Sequence, residues 1–69
     1  MRCVILGGAG FLGRHIGRAM AEEGASVWSV DRVLPDPRVA PWLAGEVKAD
    51  CFELETWWDS VGGADVIVH

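Results

Sequence analysis

Sixty-nine residues, 51% of them hydrophobic, allow one small domain. A chain this short buries only about 60% of its extended surface. The net charge of −4 comes with six scattered basic residues, Arg2, Arg14, Arg18, Arg32, Arg38 and Lys48. That excludes a basic patch able to neutralise phosphates, so nucleic acid is not an expected partner. Cys3 and Cys51 are too far apart for a metal-ligand spacing or a disulfide scaffold, so reduced thiols and a cytoplasmic location are expected.

The chain begins with an apolar run at residues 2–6 that reads as a buried parallel strand. It is too short for a signal-peptide core or a membrane span. The run Gly7-Gly8-Ala9-Gly10-Phe11-Leu12-Gly13 follows and satisfies both G-x-G-x-x-G and G-x-x-G-x-x-G. Glycines at a strand-to-helix turn let the backbone approach a diphosphate. The free N–H groups and positive dipole of the helix start then face that anion.

Residues 11–23 read as a helix with Leu12, Ile16, Ala19 and Met20 on the buried face. Arg18 and Glu22 form an i,i+4 pair on another face, and Gly24 is placed to end the helix. Gly13 and Gly17 weaken the helix, and the expected compensation is close packing of helix on strand. His15 should face solvent or pack locally.

Residues 26–31 form a second predicted strand, ending at Asp31. The segment 32–44 carries three prolines, which allow at most a short helical turn after Pro41. A third strand is expected at 46–49, a short helix at 53–60 closed by Gly62-Gly63, and a fourth strand at 65–68. Burial under that second helix accounts for at least one of Trp57 and Trp58, while Trp28 and Trp42 read as core or interface.

Right-handed crossovers place these strands in the parallel order 3-2-1-4. This is an α/β fold, the N-terminal half of a Rossmann-type doubly wound sheet. Residues 1–69 are expected to be a partial NAD(P)-binding domain, truncated after the fourth strand. The order reverses between strands 1 and 4, where doubly wound sheets bind ligands.

Asp31 lies eighteen residues beyond Gly13. A carboxylate there can accept the ribose hydroxyls of an adenosine and repel a 2′-phosphate, which favours NAD with NADP possible. The alternative is that Asp31 caps a turn. Arg32 stacks on adenine, pairs with a 2′-phosphate or, as the preferred reading, is a solvated loop arginine. Asp50 accepts from the adenine amino group or starts the turn before residue 53. His69 ends the fourth strand, facing the crevice or the core.

No catalytic or metal-binding residue is assigned. There is no tyrosine, the one lysine is Lys48, and no Ser-His-Asp, metal-ligand or paired-carboxylate pattern is visible.

Together the glycine run, Asp31, Asp50 and Asp65-Val66-Ile67-Val68-His69 resemble the extended short-chain dehydrogenase/reductase family. That family includes the NAD-dependent epimerase/dehydratases and 3β-hydroxysteroid dehydrogenases. The resemblance implies that Gly7, Gly10 and Gly13 shape a diphosphate site, with the N–H groups of Phe11 and Leu12 on the phosphates. It further implies Asp31 on the adenosine ribose, Asp50 near adenine, and a sugar-nucleotide or sterol-like substrate in the parent enzyme. The family's Ser/Thr and Tyr-x-x-x-Lys have no counterpart in these residues. Leu6 stands where the family often has Thr, and the 31–50 link is short and proline-broken. A non-catalytic redox-sensing module is the competing reading. A flavoprotein adenosine site ranks lower, because flavoproteins usually carry Glu where this chain has Asp31.

Overall fold

The computed structural model describes residues 1–69. Its elements in chain order are β1 (Arg2–Leu6), α1 (Phe11–Glu22), β2 (Ser26–Asp31), β3 (Gly45–Lys48), α2 (Leu54–Val61) and β4 (Val66–Val68). The four strands form one sheet in the order β3-β2-β1-β4, and every pairing is parallel. This is the α/β architecture read from the sequence, a Rossmann-like half sheet. No helix is long and apolar enough to cross a membrane.

Strand side chains alternate between faces, so each strand feeds two cores. On one face Cys3, Ile5 and Val27 are buried, with Ile16, Met20 and Ala21 of α1 packed against them. On the other, Val4 and Val30 meet Trp57 and Val61 of α2. Trp57 is fully enclosed, and its indole N–H donates to the Cys51 carbonyl at 3.1 Å. Trp58 is partly exposed, at 37%, with its ring 6.0 Å from that of Trp57.

α1 ends as expected. The Gly24 N–H donates to the Ala21 carbonyl (2.9 Å) and the Ala25 N–H to the Met20 carbonyl (3.1 Å). These are the two bonds of a Schellman ending, with Gly24 at a φ of +95°.

The buried face of α1 differs from the expectation. Leu12 and Ala19 are exposed, and the contact line runs through Gly13, Ile16, Gly17, Met20 and Ala21. The two glycines explain the rotation, because they let a bulky neighbour approach where a side chain would have stood. At Gly17 that neighbour is Trp42 from the proline segment, whose ring occupies the space a Cβ would need. At Gly13 it is the backbone of Gly7 and Gly8. Close packing is confirmed, but its partners are the glycine turn and the proline segment as well as the strand. Trp42 joins the α1-side core as predicted. Only a turn, not a helical one, follows Pro41. β3 and α2 each lie one residue from their predicted limits.

Candidate functional site

The site lies at the carboxyl ends of the paired strands β1 and β4. Leu6 leads into Gly7, whose N–H donates to the Val30 carbonyl of β2 at 2.9 Å. The turn is closed by the Gly10 N–H donating to the Gly7 carbonyl at 3.1 Å. Gly8 rests directly on Ser29, whose buried hydroxyl has no partner. A side chain on Gly8 would strike Ser29, and one on Gly13 would strike the Gly7 carbonyl. The turn and the first turn of α1 are therefore locked together through glycine contacts.

Gly10 is the N-cap of α1 and offers no side-chain cap. The first intrahelical donor is the Arg14 N–H, bonded to the Gly10 carbonyl at 2.9 Å. The N–H groups of Phe11, Leu12 and Gly13 have no partner within the chain. Such orphan donors, with the positive end of the helix dipole, form an anion-binding arrangement. They open on a cleft of about 340 Å³ lined by Leu6, Gly7, Gly10, Leu12, Val68 and His69, among others. Phe11 and Leu12 are both about 70% exposed at its rim (72% and 69%). His15 is exposed on the outer side, with its ring 4.5 Å from that of Phe11. His69 lines the cleft and lies 5.9 Å, ring to ring, from Phe52.

Asp31 ends β2 on the same sheet face as Val27 and Ser29, the α1 face. One carboxylate oxygen accepts from the Ala9 N–H at 3.1 Å and the other from the Val33 N–H at 3.3 Å. Asp31 thus does cap local backbone, and in doing so it is fastened to the glycine turn. A carboxylate has about four acceptor sites. Two bonds leave capacity for a diol.

No family model matches the chain, and no curated protein matches it either.

Arg32 is a solvated loop arginine, as expected, and it also carries an ion pair. Its guanidinium pairs with the Asp50 carboxylate at 2.6 Å. The other Asp50 oxygen accepts from the Phe52 N–H at 2.9 Å, and the Asp50 carbonyl accepts from the Glu53 N–H at 3.0 Å. Asp50 therefore does start the turn into α2. The Arg32 and Phe52 hydrogen bonds hold its pKa below the ordinary aspartate value. The Arg32 value is raised by the same bond and charge.

The structure brings Gly7, Gly10, Phe11, Leu12, Gly13 and Asp31 together around the turn. Arg32 and Asp50 form a separate pair beyond the carboxyl ends of β2 and β3. The Arg32–Asp50 pair was missed because it depends on strand register. β2 and β3 pair with Asp31 opposite Lys48, which carries Arg32 and Asp50 past the same edge. The Ala9 contact was missed too. Its signal was the period-two alternation that puts Asp31 on the α1 face.

Proposed function

We propose that the chain binds a nicotinamide dinucleotide, NAD in preference to NADP. On this reading it is the nucleotide-binding part of an oxidoreductase or epimerase similar to the extended short-chain dehydrogenase/reductases. The observation that supports it is the fastening of Asp31 to the glycine turn through Ala9. That bond sets a carboxylate suited to ribose hydroxyls beside three unpartnered N–H groups suited to a diphosphate.

The residues present suit such a group. Gly7, Gly10 and Gly13 leave the backbone bare at the turn, and the N–H groups of Phe11, Leu12 and Gly13 would receive the diphosphate. Asp31 would hold the adenosine ribose. The nicotinamide ring supplies hydride chemistry when the cofactor is bound. The chain's own residues bind and orient the cofactor, and none is assigned a proton transfer.

Calorimetric titration of the chain with NADH and NADPH tests this. NADH should bind more tightly than NADPH. Asp31→Ala should weaken NADH at least tenfold, the scale of a lost charge-assisted hydrogen bond of about 1.5–3 kcal/mol. A folded chain that binds neither dinucleotide, or that prefers NADPH, overturns the reading.

A further inference from the structure

The pair Arg32–Asp50 stands immediately past the ribose-side carboxylate. Asp31 and Arg32 are adjacent in the chain, yet their side chains do different work. Asp31 turns inward to the Ala9 N–H, and Arg32 reaches across the sheet edge to Asp50 at 2.6 Å. Arg32 is well exposed (76%) and Asp50 much less so (26%). The carboxylate is tied a second time by the Phe52 N–H, whereas the guanidinium has no second bond. Lys48 lies opposite Asp31 in the strand register but forms no ion pair.

An arginine following the strand-end carboxylate is the group in this chain best suited to grip a 2′-phosphate. Its planar fork matches phosphate oxygens in two bonds at once. Such a phosphate carries about −1.5 to −2 charges at neutral pH. Here the fork is already engaged by a carboxylate. Asp31 spends its two bonds on the Ala9 and Val33 N–H groups, so Asp50 is the carboxylate that holds the guanidinium.

We propose that Asp50 is a specificity-determining positioning residue, which excludes NADP by holding Arg32 away from the ribose 2′ position. The inference rests on the dinucleotide reading above and deepens it. Asp31 repels the extra phosphate by its charge, and Asp50 withholds the one nearby guanidinium whose fork would grip it. Asp50 acts through Arg32, so its effect must vanish when Arg32 is removed.

The test reads the ratio of NADPH to NADH dissociation constants in four chains: wild type, Asp50→Asn, Arg32→Met and the double variant. Asparagine keeps an acceptor for the Phe52 N–H while removing the charge, and circular dichroism checks that each variant is folded. Asp50→Asn should lower the ratio about tenfold. Arg32→Met alone should leave it within about twofold, because the guanidinium is already engaged. The double variant should return the ratio to the wild-type value. Asp50→Glu, which restores the charge, should do the same without removing Arg32. Wild type that binds NADH with an unchanged ratio in Asp50→Asn refutes the gate and leaves the dinucleotide reading standing. A lowered ratio that persists in the double variant also refutes it, since the effect then bypasses Arg32. Folded wild type that binds neither dinucleotide removes the reading itself, and the gate with it.

Discussion

Two glycine pairs look alike in the sequence, Gly7-Gly8 and Gly62-Gly63, and the structure uses them in opposite ways. The first pair leads into a helix start whose first three N–H groups are left without partners beside a cleft. The second pair follows a helix end, and Gly62 returns its N–H to the Asp59 carbonyl (3.2 Å) in the left-handed conformation. Arg2 completes that end by donating to the Val61 carbonyl and lying 5.3 Å from the Trp28 ring centroid. A cation at a helix C-terminus is favourable. One pair exposes donors, whereas the other satisfies acceptors. Which end of a helix a glycine adjoins therefore decides whether it reads as a binding device or as chain reversal.

Substitution sharpens the contrast. Gly13→Ala should have the larger effect. Alanine is about 1 kcal/mol better than glycine in a helix interior. Yet the added methyl would strike the Gly7 carbonyl, a backbone atom with nowhere to go. A net loss of about 1–3 kcal/mol is expected, the range for an overpacked site, together with weakened NADH binding. Gly62→Ala should cost about 1 kcal/mol for a left-handed alanine. Its methyl meets only the flexible end of Arg2, so NADH affinity should stay within twofold. Urea unfolding and calorimetry on both variants check the pair. Equal effects on binding would erase the distinction between the two glycine sites.

Acid gives the smallest effect, and it falls on the start of α2. Asp50 has a folded pKa below its ordinary value, from its bonds to Arg32 and Phe52. Its contribution is therefore present above the unfolded pKa of about 3.9 and is lost as pH falls through the folded value. The groups facing Asp50 are the Arg32 guanidinium, which stays charged throughout, and the Phe52 N–H. The difference in urea midpoint between wild type and Asp50→Asn should be small at pH 7, because the pair is exposed, and should shrink only as pH falls below about 3.9 through the folded value. A difference that grows in acid would break the assignment. Asp36, lowered by its own bonds to Arg38, adds a similar slope to both chains and cancels in the comparison.

Much of this architecture was legible because it is local. The apolar run before Gly7, the breaks at Gly24 and Gly62, and the short segments 26–31 and 65–68 fix element type without tertiary knowledge. Right-handed crossovers then restrict the strand order. What stayed hidden depends on contacts between distant segments. The burial of Gly17 follows from Trp42, twenty-five residues away in a segment without regular structure. The exposure of Leu12 follows from the same rotation of α1. The Arg32–Asp50 pair follows from the offset between β2 and β3, which no spacing along the chain encodes.

Cys3 has a consequence for following this molecule in solution. Its thiol is wholly enclosed in the α1-side core, and burial raises its pKa. A thiol-specific reagent can reach it only when the sheet and α1 part, so its labelling rate is a clock for global opening. Cys51 lies half-buried near the start of α2 and reports local loosening there. Two labelling rates from one sample, resolved by mass spectrometry, should differ widely in the native chain and converge as denaturant is added. On the proposed dinucleotide reading, NADH should slow the first rate by the factor its binding adds to stability.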